Sequence, residues 1–174
     1  MQFGAATVIT AATKVLMMDC FETLVAYVDG AYVAREGIVA FLVHHITRRQ
    51  LPLAVVSDAT ESAVVAALRQ AGLWSYVNHC FHDGNAQEKT SEGRTSKRLD
   101  VVLQFYRVQA SEAVFIGDSP MDARDAQRYQ VPFIRVPRSE DRSFSFATLI
   151  QGPSFYTSGH FSSVMLKEYL DRKP

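Results

Sequence analysis

Five side chains that can do chemistry stand where apolar runs give out. Val15-Leu16-Met17-Met18 ends in Asp19, and the run from Leu51 to Val56 ends in Ser57-Asp58. Ala113 to Ile116 ends in Gly117-Asp118-Ser119, with Asp122 close behind, and Lys97 leads into the apolar-periodic segment that feeds this last run. Runs this continuously apolar read as parallel strands buried on both faces. In such sheets ligands bind in the crevice beyond the carboxyl ends of the strands. Each residue alone also fits a turn or a cap, but together they place three carboxylates, a hydroxyl and an ammonium on one rim. Three carboxylates in one place repel, and a hard divalent cation with oxygen ligands, Mg²⁺, removes that repulsion. With Lys97 and the Ser57 hydroxyl it would cradle a phosphoryl group. Asp19 would then be a carboxylate nucleophile, with Asp58 and Ser119 on the same rim to meet the substrate.

The elements that must position these groups follow in order. After Asp19, two aromatic and β-branched runs flank Asp29-Gly30, which predicts a hairpin flap over residues 25–33. Residues 36–49 carry helical periodicity and end in basic residues. His44 and His45 lie on this helix as solvated or core-edge side chains, since adjacent positions do not face the same way. A second helix starts at Thr60 or Glu61 and is closed by Gly72. Tyr76 to Phe81 reads as a third strand, and His79 and His82 face opposite ways across its end. Asp83 to Thr95 has no apolar periodicity and reads as a long loop. Helices over 98–107 and 121–129 and a strand over 131–136 complete the alternation.

The expected fold is α/β: a Rossmann-like parallel sheet of about five strands flanked by helices, with right-handed crossovers and no large cap domain. Residues 1–136 form the core domain, and 137–174 a C-terminal extension with a terminal helix near 161–171. The aromatics of that extension either cover the core's own sheet edge or make a homo-oligomer contact.

Composition narrows the partners. Eighteen basic residues balance 18 acidic ones, so no global field recruits nucleic acid or an anionic membrane. No stretch approaches the roughly 18 apolar residues of a spanning helix, and residues 1–13 lack the basic start of a signal peptide. Cys20 and Cys80 lie in apolar surroundings without metal-ligand spacing and read as reduced. These features suggest a cytoplasmic protein.

The set Asp19-Cys20-Phe21-Glu22-Thr23, Ser57, Lys97 and Gly117-Asp118-Ser119-Pro120-Met121-Asp122 resembles, in order and spacing, the four motifs of the haloacid dehalogenase superfamily. The likeness runs from about Lys14 to Val136, and Tyr129-Gln130-Val131-Pro132 resembles the family's approach to its final core strand. It implies Asp19 as nucleophile, Thr23 as a hydrogen-bond support, Ser57 binding the transferring group and Lys97 compensating charge. Mg²⁺ would be held by Asp19, the Phe21 backbone carbonyl, Asp118 and Asp122. Lys89 is the other candidate for the lysine. The short spacings leave no room for a cap, so the resemblance is to capless members.

One position departs from the family's phosphatases. They carry a second Asp two residues after the nucleophile as general acid and base, and Phe21 stands there instead. General acid–base catalysis contributes roughly 10²–10⁴-fold, so this loss favours leaving groups that are already weak bases. A neighbour on an extended strand end points to the opposite side, which turns Glu22 away from that role. The resemblance thus implies a phosphatase biased to good leaving groups. A metal-independent 2-haloacid dehalogenase and a catalytically weakened protein that binds a phosphorylated ligand or a partner are the alternatives.

Overall fold

In a computed structural model describing residues 8–150, the chain forms nine strands and four α-helices. Strands β1 (Val15–Met18), β4 (Leu53–Val56), β5 (His79–Phe81), β8 (Ala113–Gly117) and β9 (Phe133–Arg135) make one sheet in the order β5-β4-β1-β8-β9. All four pairings are parallel; Met18 sits opposite Val55 on one side and Ile116 on the other. β1 is therefore the central strand, and Asp19 leaves the sheet between the ends of β4 and β8.

The unbroken apolar runs are explained by the two layers they separate. Leu16 and Met18 join a core shared with α1 (Ile38–Leu42) and α2 (Glu61–Gln70). Val15 and Met17 point to the opposite core, under α3 (Leu99–Tyr106) and α4 (Pro120–Arg128). A strand covered on both faces has no position for a polar side chain, so the first polar residue is also the first that can reach the crevice.

Two hairpins leave this frame. β2 (Val25–Val28) and β3 (Ala31–Ala34) pair antiparallel across Asp29-Gly30. β6 (Gln87–Lys89) and β7 (Thr95–Lys97) form the other. The second hairpin corrects the expectation of a plain loop over 83–95. Its strands are too short and polar to show a period, and their ladder closes through a turn in which Thr90 N donates to Arg94 O at 2.7 Å.

The expected helix over 36–49 is also modified. After α1 the helix widens into a π-helical turn, Val43–Arg48. His45 is not a core-edge residue: it is fully buried, its ring 4.6 Å from that of Phe41. Its Nδ1 meets Arg49 Nη1 at 3.0 Å, and burial lowers its imidazole to about 4.

Residues 144–150 turn back onto α1. Phe146 is fully buried, 5.6 Å from the Phe41 ring, and its N–H donates to Glu36 O at 2.9 Å. Burying such a side chain contributes on the order of 2–3 kcal/mol. The helix expected near 161–171 lies outside the described residues. Among the described residues no helix is long and apolar enough to cross a membrane, and Cys20 and Cys80 are buried free thiols.

Candidate active site

The parallel sheet brings Asp19, Asp118 and Asp122 together, one oxygen of each within 4.8 Å of the others. Asp19 lies one residue past β1, and its N–H extends the ladder to Ile116 O at 3.0 Å. Asp118 and Asp122 lie past β8, across the capped start of α4. Ser119 caps that helix: Asp122 N donates to Ser119 Oγ at 3.0 Å, and Ser119 Oγ donates to Asp122 Oδ2 at 2.8 Å. Gly117 permits this packing, because a Cβ there would lie 2.5 Å from Asp122 Oδ2.

Lys97 closes the cluster. Its Nζ donates to Asp19 Oδ1 at 2.8 Å and to Asp122 Oδ1 at 2.5 Å, with only 3% of the side chain exposed. Lys97 thus stands at the end of β7, facing the nucleophile loop, whereas Lys89 is exposed on β6. Asp122 has both oxygens engaged, one by Lys97 and one by Ser119.

The electrostatics follow from burial. Desolvation lifts the Asp19 carboxyl to about 7 against the pull of Lys97, with Asp122 and Asp118 pushing it the same way. Burial would lower the Lys97 ammonium, but Asp19 and Asp122 overcome that and raise it. The cluster carries three acids against one buried cation, which suits a further hard cation among oxygen donors.

The other sequence-derived residues fall around it. Thr23 is fully buried and donates to Asp118 Oδ1 at 3.1 Å. Ser57 is buried at the end of β4; its N–H donates to Phe81 O at 3.0 Å and its Oγ accepts from Ala59 N at 3.2 Å. Asp58 is exposed and accepts from Gln87 Nε2 at 3.3 Å. The Phe21 ring lies 5.4 Å from that of Tyr32 on the flap. Glu22 takes a left-handed conformation (φ 61°), and its carboxylate turns to Ser139, accepting from N at 3.0 Å and Oγ at 2.6 Å. Those bonds, opposing a partial desolvation, lower its pKa. His79 stacks on Phe105 at 4.4 Å, and His82 lies near Glu61 and Asp83.

Two further residues shape the site without belonging to the motifs. Asp125, 6% exposed, accepts from Ser96 Oγ at 2.7 Å and from Lys97 N at 3.0 Å, fixing the strand end from which Lys97 reaches. Its signal was its spacing: one turn after Asp122, it shares that residue's inward face. Arg35, 7% exposed, donates to the carbonyls of Glu22 and Pro137 and so ties the nucleophile loop to the segment after β9. Nothing local in the sequence marks it.

Comparison with known proteins agrees with this architecture. The family model for haloacid dehalogenase-like hydrolases matches residues 13–136, and a search of curated proteins found no match. A solved structure of a predicted phosphoglycolate phosphatase from Haemophilus somnus 129PT superposes with a TM-score of 0.64 at 11% identity, covering 81% of this chain and 98% of that one. A haloacid dehalogenase-superfamily hydrolase of subfamily IA from Geobacter sulfurreducens PCA gives 0.57 at 16%, covering 73% and 93%. The N-terminal part of a Bacteroides fragilis protein, containing a phosphatase domain complexed with Mg, gives 0.56 at 15%, covering 73% and 37%. At these identities the solved structures speak to the fold. The family match runs from just before β1 to just after β9 and takes in every strand of the sheet, so the chain belongs to the haloacid dehalogenase-like hydrolases.

Proposed function

We propose that this hydrolase is a Mg²⁺-dependent phosphatase that works through an aspartyl-phosphate at Asp19 and favours good leaving groups. The observation that carries this reading is the buried cluster of Asp19, Asp118 and Asp122 closed on Lys97 Nζ. The donor set is all oxygen, as Mg²⁺ requires. Asp19, Asp118 and the Phe21 carbonyl would hold the cation, with Asp122 completing the acidic shell. When bound, it neutralises charge on the transferring phosphoryl oxygens.

The chain's own residues divide the remaining work. The Asp19 oxygen that Lys97 does not take attacks phosphorus as the bond to the leaving oxygen breaks. Water then attacks the phosphorus of the acyl phosphate, releasing inorganic phosphate and restoring the Asp19 carboxylate. Lys97 stays between Asp19 and Asp122 and pulls the carboxylate towards its ionised form against the burial that lifts it. Ser57 offers its hydroxyl to the phosphoryl group, and the Ser119 hydroxyl is given to Asp122 and serves the substrate only by holding that carboxylate. Asp58 lies at the rim, and Thr23 orients Asp118. The Phe21 ring, packed towards Tyr32, cannot hand a proton to the leaving oxygen, and Glu22 is committed to Ser139. Aryl and acyl phosphates, whose leaving groups need no proton, are the expected substrates.

Phosphate release from aryl, acyl and alkyl phosphates, with and without Mg²⁺, tests the reading. Aryl and acyl esters should turn over only with the cation, and Asp19→Asn should abolish that turnover. Phe21→Asp should raise the rate on alkyl esters. Mg²⁺-independent chloride release from a 2-chloroacid would replace this function with dehalogenation. Ligand binding without turnover on any ester would leave a binding protein.

A further inference from the structure

Two arginines outside this catalytic set open onto the same crevice. Arg135 ends β9 and Arg138 follows closely. With Asp118, Ser119 and Pro137 they line a cavity of about 490 Å³ beside the nucleophile loop. Arg138 Nε lies 3.7 Å from Asp118 Oδ2 and 3.9 Å from Glu22 Oε2, with 59% of its side chain exposed.

The backbone that carries Arg138 is clamped on both sides. Pro137 O accepts from the buried Arg35 guanidinium at 2.8 Å, and Ser139 gives both its N–H and its hydroxyl to Glu22. A surface arginine ordinarily loses much of its binding energy to conformational freedom; here the main chain on either side is already fixed. Glu22 Oε2, the oxygen of that residue facing Arg138, also accepts from Ser139, whereas on Asp118 Thr23 takes Oδ1 and Oδ2 stays towards Arg138. The first turn of α4 lines the same cavity, and its dipole favours negative charge.

We infer that Arg135 and Arg138 form a subsite for a second anionic group, a carboxylate or a further phosphate, carried on the leaving-group side of the substrate. This rests on the phosphatase reading and narrows its substrates to esters with two anionic ends. The guanidinium fork matches either oxyanion. A substrate held at both ends is oriented before reaction, which matters more where Phe21 removes the general acid.

Three aryl esters separate the second charge from leaving-group strength: phenyl phosphate, 4-carboxyphenyl phosphate and 1,4-phenylene bisphosphate. Their affinities are measured calorimetrically with Mg²⁺ on the full chain carrying Asp19→Asn, so that binding is read without turnover. Either or both doubly anionic esters should bind about tenfold tighter than phenyl phosphate, the worth of one charge-assisted contact. The one that gains more tells a carboxylate subsite from a phosphate subsite. Arg138→Gln and Arg135→Gln should each shrink that advantage several-fold, and Arg138→Lys should restore part of it, with melting temperatures confirming that each variant is folded. Equal affinities for all three esters, an advantage untouched by both Gln variants, or no binding of any ester overturns the subsite. Discrimination that persists while the unmodified enzyme hydrolyses none of the three would instead sink the phosphatase reading and keep the subsite.

Discussion

Hairpins β2–β3 and β6–β7 both leave the carboxyl end of a sheet strand, and both border the site, yet different forces shape them. The first is written in its own residues. Asp29 and Gly30 take positive φ, 49° and 85°, as a tight two-residue turn requires. Tyr27 and Tyr32 face each other across the ladder at 5.0 Å. The second has no such turn pair and no apolar cross-strand pair. It is held from outside: Arg98 N donates to Ala86 O at its base, Glu88 reaches Arg128 and Arg98, and Asp125 takes Ser96 and Lys97. The locally coded hairpin carries shape near Phe21, while the externally held one delivers the only lysine that touches Asp19 among the described residues. Precision in Lys97 is thus bought with long-range contacts.

Breaking the externally held hairpin at its base should have the largest effect. Lys97→Ala removes the buried donor to Asp19 and Asp122. Loss of a comparable charge-stabilising donor costs about 10²–10³ in kcat, and kcat on an aryl phosphate at saturating Mg²⁺ should fall by that much. Lys89→Ala, on the exposed strand of the same hairpin, should stay within about twofold. Equal losses at the two lysines would mean that the position of Nζ is not what matters.

Asp125→Ala acts one step further out. It leaves Ser96 Oγ and Lys97 N without acceptors, a cost of about 1–3 kcal/mol for each buried polar group left unpaired. The loosened strand end should lower kcat by about tenfold while KM moves less. Asp125→Asn keeps one acceptor oxygen and should recover part of both. If kcat is untouched while the melting temperature drops, Asp125 supports the fold and not the placement of Lys97.

The cation should read out the same linkage through pH. Without a cation the Asp19 carboxyl stands at about 7, and a ligating carboxylate must be ionised. Below pH 7 each Mg²⁺ bound therefore displaces a proton, and affinity should fall about tenfold for every pH unit. Titration calorimetry in buffers of different ionisation enthalpy should show about one proton released at pH 6 and nearly none at pH 8. Asp125→Ala weakens the pull of Lys97, lifts Asp19 further and should move this release to higher pH. A flat profile from pH 6 to pH 8 would show Asp19 ionised throughout.

The same contrast explains what could be read before the fold was seen. The three central strands, β4, β1 and β8, announce themselves because both faces are buried, and the polar residue after each one marks the crevice; Asp19, Ser57 and Asp118 follow from that rule alone. The β2–β3 turn was legible because Asp29-Gly30 encodes it. β6–β7 was not, because its register depends on Asp125 and Arg128, which lie about 30–40 residues downstream; the spacing of Asp125 from Asp122 marks an inward face but not the strand it holds. The burial of His45 was hidden for a like reason: the cover over α1 comes from Phe146, far along the chain. Lys97 was identified through the motif order, while the bonds that aim it were not.

Gly30→Val tests the locally coded hairpin by itself. Gly30 has φ 85° and open space where a Cβ would stand, so the substitution adds backbone strain without a steric clash. That strain costs about 1–2 kcal/mol for a β-branched residue in the left-handed region, a fall of a few degrees in melting temperature. Neither Lys97 nor Asp125 touches this turn, so kcat on a small aryl phosphate and the proton release on Mg²⁺ binding should stay as they are. Activity that fell with stability would show the two hairpins to be coupled, and the flap would then have to reach the substrate through Tyr32 and Phe21, a ring contact that joins it to the nucleophile loop.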